Sequence, residues 1–157
     1  DKGAASMAAE SLRLDLRVLA ARALPSSGST NPVSLAVSIW GESGDCAREV
    51  CRPVAAEPVV IWAETDASGQ KQPRVMTFKV NSPGTALLSF EVVELDPLLG
   101  RPKRLAAFAA PVEGLRSGLR WVPLWATTGI EVRKGELSQL CGLLVHSVMQ
   151  KEARRRK

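Results

Sequence analysis

The chain has 157 residues, 45% of them hydrophobic and 24% charged, with a formal net charge of +5. Such a length and balance suit one globular domain and exclude a disordered chain; no run of about 18 apolar residues is present to build a spanning helix. The charge is uneven, because five of the 21 basic and one of the 16 acidic side chains fall in "KEARRRK" (151–157), leaving 16 against 15 elsewhere.

The first ten residues are alanine-rich and read as a linker, the remnant of an upstream region or a short helix. They lack the layout of a secretory signal and an initiator methionine, so the chain is expected to be a piece of a longer polypeptide. From residue 12 the dominant signal has period two. In "LRLDLRVLAA" Leu12, Leu14, Leu16 and Val18 share one face, with Arg13, Asp15 and Arg17 on the other. Successive side chains leave a strand on opposite sides, so this alternation predicts a half-buried strand. "LPSSGSTNP" (24–32) then reverses the chain, and "VSLAVSIW" (33–40) sets Val33, Leu35, Val37 and Ile39 opposite Ser34, Ala36 and Ser38.

After the turn "GESGD" (41–45), a further strand is expected at "VVIWA" (59–63) and a loop at "DASGQKQP" (66–73). "VMTFKV" (75–80) and "LLSFEVVE" (87–94) restore the alternation on either side of "NSPG" (81–84). "RLAAFAAP" (104–111), "RWVPLW" (120–125) and "QLCGLLVHSVM" (139–149) complete eight candidates, with a helical turn at "VEGLRSG" (112–118). Glycine, proline and small polar clusters separate them, as chain reversals require. The pattern predicts an all-β, eight-stranded antiparallel β-sandwich over residues 11–150, followed by a basic tail at 151–157. That tail suits nonspecific attraction to anionic lipid or nucleic acid, or is a solvated end.

Chemistry-bearing clusters are sparse. Cys46, Cys51 and Cys141 are odd in number and form no metal-binding doublet, so free thiols are expected and no zinc site. The lone histidine, His146, lies in the last strand, where a strand residue is expected rather than a catalyst. No GxSxG elbow, glycine-rich phosphate loop or HExxH is present, so no catalytic residue is assigned. Trp40, Trp62, Trp121 and Trp125 suit a membrane interface or sheet packing; all sit in predicted strands, which favours packing. Four per cent aromatic residues, with none in the tail, offers little for base stacking, so no specific nucleic-acid partner is expected.

The most telling stretch is "FEVVELDPLLGRPKRL" (90–105). Glu94 and Asp96 end a strand like the start of a cation cradle, and Arg101, Lys103 and Arg104 follow at once. The two carboxylates either hold a metal, pair with these cations or cap the turn before Pro97. Leu98 and Leu99 either dip into a headgroup layer, with Arg101, Lys103 and Arg104 on phosphates, or pack inward.

Three features carry a resemblance over roughly residues 11–149. An opening strand runs through Ala21 to "LP" (24–25) and into a polar loop ending in "NP" (31–32). A central strand ends in the acidic pair Glu94 and Asp96. Then comes "PVEGLRSGLRWVPL" (111–124), with "LLVHSVM" (143–149) closing the chain. Together they resemble a C2 domain, most closely the one at the C-terminal end of phosphoinositide-specific phospholipases C.

The resemblance implies the phospholipase-type strand order, with three loops gathered at one end facing a membrane. It implies calcium ligands on the first and third loops, which map onto Asn31, Glu94 and Asp96. Asn31 stands where calcium-binding members carry aspartate, and the expected downstream acids are replaced by cations. The six to eight oxygen ligands of calcium are therefore not assembled, and weak or lost calcium binding is predicted, with no cofactor required. Residues 46–73 match poorly.

The implied role is noncatalytic, within a phosphoric diester hydrolase whose catalytic domain lies elsewhere in the parent chain. The domain would dock on an anionic phospholipid membrane, peripheral at its cytoplasmic face, and brace the catalytic domain. The alternative is a protein-interaction module that uses the sandwich surface or an edge strand without lipid binding.

Overall fold

A computed structural model describes residues 11–22, 24, 33–42, 44–51, 59–60, 63–65, 67–95, 98, 100–126 and 141–152. The strands are β1 (Ser11–Arg22), β2 (Val33–Trp40), β3 (Ala47–Cys51), β4 (Val59–Val60), β5 (Ala63–Thr65), β6 (Lys71–Pro73), β7 (Val75–Val80), β8 (Leu87–Leu95), β9 (Pro102–Pro111), β10 (Gly118–Pro123), β11 (Trp125–Ala126) and β12 (Gly142–Glu152). One sheet runs β10-β12-β1, with β7 and β4 both on the far side of β1. The other runs β11-β9-β8-β2-β3, and β5 and β6 form a small separate ribbon. All pairings are antiparallel.

The inward rows are those the alternation predicts. Leu14, Leu16 and Val18 of β1, Met76, Phe78 and Val80 of β7, and Leu143 and Val145 of β12 face Leu35, Val37 and Ile39 of β2 and Leu88, Phe90 and Val92 of β8. Burying a large aliphatic or aromatic side chain is worth roughly 1.5–3 kcal/mol, so these facing rows hold the two layers together.

Eight strands of five residues or more build the two sheets, but not the eight expected. β3 takes the place of 59–63, which contributes only the two-residue β4 to the main sheets. Its sequence "AREVC" buries Cys51 alone, so it carries little apolar signal; pairing with β2 from Leu35↔Cys51 to Ile39↔Ala47 makes it a strand. "RWVPLW" is likewise not one strand. β10 stops at Pro123, buried Leu124 donates its N–H to the Cys141 carbonyl at 3.1 Å, and Trp125 then pairs with Ala107 in the opposite sheet. β12 extends to Glu152, taking two residues of the predicted tail into the sheet. The expected helical turn is a single 3-10 turn, Val112–Gly114.

The period-two rule also understates β2. Ala36 and Ser38 face outward yet are buried, beneath an outer layer in which the Trp40 indole donates Nε1–H to Ser89 Oγ at 2.9 Å. Trp40, Trp121 and Trp125 all lie on sheet surfaces, largely exposed; Trp62 lies outside the described residues. The three cysteines are free thiols. Burial pushes the Cys141 thiol pKa up, which disfavours its thiolate.

Asp45 ties the two sheets together at the end away from the β8–β9 loop. It is buried, and its carboxylate accepts the Asn81 N–H at 2.7 Å, the Asn81 side-chain amide at 2.8 Å and the Ser82 N–H at 2.8 Å. Asn81 follows β7 directly, so the β2–β3 turn is pinned to the opposite layer. Asp45→Ala strands these donors and should lower unfolding free energy by about 3 kcal/mol in urea titrations. Glu42→Ala, which removes one exposed contact to Ser82 at 3.0 Å, should cost below about 1 kcal/mol.

On the outer face of β1 the Thr77 hydroxyl donates to Asp15 Oδ1 at 2.7 Å. That bond chiefly, with Arg13 and Arg17, holds the Asp15 carboxyl below its ordinary pKa against the opposing effect of burial. Folding therefore favours the charged form, a contribution present above the unfolded pKa of about 3.9 and lost as pH falls through the folded value. The stability gap between wild type and Thr77→Val should close as pH is lowered from 6 to below ~3, followed by thermal melts.

Candidate functional site at the β8–β9 end

The loop between β8 and β9 is shaped by its two strand ends. Gly100 adopts φ of +63°, a left-handed conformation that glycine accepts at little cost, and this turns the chain back into β9. At the tip, Leu98 stands 93% exposed. Arg101 and Lys103 beyond the turn are exposed as well.

Glu94 is only 4% exposed, lying between Val33 of β2 and Lys103 of β9 in the strand register. It faces the mouth of the interior, with a cationic residue directly opposite. Asn31, Asp96 and Leu99 lie outside the described residues. Among the described residues no three histidine, cysteine, aspartate or glutamate side chains gather into a metal-holding group.

The third cation is engaged elsewhere. β9 carries one extra residue, so that Val92 pairs with Ala106 and Val93 with Arg104. A bulge of this kind re-aims its neighbours: Leu105 and Ala106 are both fully buried, while Arg104 comes to the outer face. There its guanidinium meets Glu91 Oε1 at 2.7 Å, and Arg48 of β3 reaches Glu91 Oε2 at 3.3 Å. One nearly buried carboxylate thus bridges two arginines across four strands. Neither Glu91 nor Arg48 stands out in the sequence, since Glu91 is one polar residue between apolar ones and Arg48 is followed at once by an acid, Glu49; the triad exists only because β3, β2, β8 and β9 lie side by side.

No family model matches the sequence, and no curated protein matches it either. Solved structures do match. PLC21 from L. pealei superposes with a TM-score of 0.66 at 18% identity, covering 96% of this chain and 17% of that one. An isolated C2 domain of plant Extended Synaptotagmin 1 gives 0.60 at 14% identity, covering 89% of this chain and 95% of that one. This chain has a C2-type fold. Human GIVD cytosolic phospholipase A2, solved with methyl gamma-linolenyl fluorophosphonate, gives 0.62 at 13% identity, covering 92% of this chain and 18% of that one. The C2-type sandwich thus matches a small part of two much longer enzymes and nearly the whole of one isolated domain.

Because Glu91 occupies Arg104, weakening that contact should release cationic character to the loop. Glu91→Gln should lengthen retention of the chain on a sulfonate cation-exchange resin, since it adds one net positive charge beside Arg48 and Arg104. Ion pairs this exposed on the arginine side contribute about 1 kcal/mol or less to stability, so the melting temperature should change little.

Proposed function

We propose that the chain is a noncatalytic C2 domain, the C-terminal part of a phosphoinositide-specific phospholipase C, that docks on anionic phospholipid membrane and braces the catalytic domain of the same parent chain. Docking places it at the cytoplasmic face of a membrane. The observation that carries this reading is Leu98, exposed at the tip of a sandwich-end loop with Arg101 and Lys103 exposed beside it. An apolar tip with flanking cations matches a headgroup layer over hydrocarbon. Leu99 belongs to the same tip by sequence. Arg104 contributes less, being held by Glu91.

Calcium binding is weak or lost in this reading. Calcium needs six to eight oxygen ligands, whereas Glu94 is nearly buried opposite Lys103 and Asn31 supplies an uncharged side chain. A cation there would meet repulsion from Arg101 and Lys103 as well as attraction from the acids. Among the described residues no helix is long and apolar enough to cross a membrane.

Sedimentation with phosphatidylserine and phosphatidylcholine vesicles, with calcium or chelator and across a salt series, tests the proposal. Binding is expected to phosphatidylserine only, to fall with salt, and to be indifferent to chelation. Lys103→Ala should weaken it about fivefold. Indifference to both vesicles removes docking, and dependence on calcium restores a working cation site.

A further inference from the structure

Each sheet ends in strands whose outer backbone groups need a partner or a guard. The β3 edge is guarded: Arg74 donates to the Val50 carbonyl at 3.1 Å and to Glu49 at 2.7 Å. β11 is only two residues long. β7 carries Lys79 outward, 3.8 Å from Glu152, the kind of charge that blunts an edge. β10 differs. Among the described residues it pairs with β12 alone, and it turns Leu119, 64% exposed, and Trp121, 44% exposed, to the outside.

These two side chains are seated. Trp121 pairs with Leu144 and Leu119 with His146, and the Trp121 ring lies so close over Gly142 that an added Cβ would come within 2.7 Å of it. Gly142, the first residue of β12, leaves room for the indole to lie across from β10 onto the neighbouring strand. The surrounding charge is mostly positive, Asp15 on the outer face of β1 being flanked by Arg13 and Arg17. Arg116 and Arg120 are exposed on the edge, and Arg17 lies two strands in, about 10 Å away. Within 112–126 the one carboxylate is Glu113.

We infer that the β10 edge is a docking strand for an extended, acidic segment of a partner protein. An added strand would continue the sheet through main-chain hydrogen bonds. Its side chains alternate, so those on the outer face meet Leu119 and Trp121 and want to be aliphatic, while the intervening ones lie beside Arg120 and want to be acidic. A second copy of this chain fits less well: antiparallel pairing of two β10 edges centred on Arg120 sets the two arginines against each other, and like charges across strands repel. The site lies on a different surface from the Leu98 loop and does not depend on the lipid reading; it gives the partner-binding alternative a location.

The test uses two capped hexapeptides, one alternating glutamate and valine and the other lysine and valine, with amide hydrogen exchange on the whole chain. The glutamate peptide is expected to slow exchange in Gly118–Pro123, and the lysine peptide to bind at least tenfold more weakly. Arg120→Glu should invert that order, and Leu119→Ser should weaken both peptides. Both positions are exposed, and unchanged melting temperatures verify that the variants fold. Protection absent from β10, or binding blind to the peptide's charge, overturns the inference. So does loss of phosphatidylserine-vesicle binding in Arg120→Glu with peptide binding intact, which would make this face a membrane surface.

Discussion

The molecule depends on two central strands, β1 and β8, each flanked on both sides and each required to turn one row of side chains away from water. Leu14, Leu16 and Val18 meet that demand in one sheet, and Leu88, Phe90 and Val92 in the other. Because side chains alternate, fixing the inward row also fixes the outward one, and a slip of one residue would expose the whole core row. Arg13, Asp15 and Arg17 are surface residues for that reason alone. The same rule sends Glu91 outward between β2 and β9, where Arg48 and Arg104 find it.

Charge at the loop end is therefore not the inventory of the loop. Counted along the sequence, two acids meet three cations. In three dimensions Glu94 turns toward the interior and Arg104 leans back onto Glu91, while Leu98, Arg101 and Lys103 stay at the rim. The bulge at Leu105 performs this sorting: one inserted residue buries a leucine and swings its neighbour to the other face. Among the described residues the rim that results is apolar at Leu98 and cationic at Arg101 and Lys103.

The opposite end and the edges are governed by hydrogen bonds instead. Asp45 satisfies three donors from 81–82 and locks the β2–β3 turn to the other sheet. Arg74 performs a comparable service for the β3 edge, and β10 has Gly142 making room for Trp121 rather than a guard of its own.

The two-layer architecture was legible in the residues because burial imprints its period on each strand locally; β1, β2, β7 and β8 could be read one at a time. The order of motifs also pointed to the C2-type fold, and Leu98 with its cations could be named from the loop alone. β3 escaped, since an edge strand buries one residue in five and leaves almost no apolar rhythm. The change of sheet at Leu124, the bulge at Leu105, the Asp45 clamp, the Arg48–Glu91–Arg104 bridge and the place of β10 at the end of its sheet among the described residues escaped as well. Each is a relation between segments distant in the chain, and alternation within one strand says which way a side chain points but not what waits for it there. The sequence alone determined which faces must be hidden, because water acts on every residue separately; only the tertiary structure decided which charges pair and which strands lie side by side, because those depend on neighbours brought together by folding.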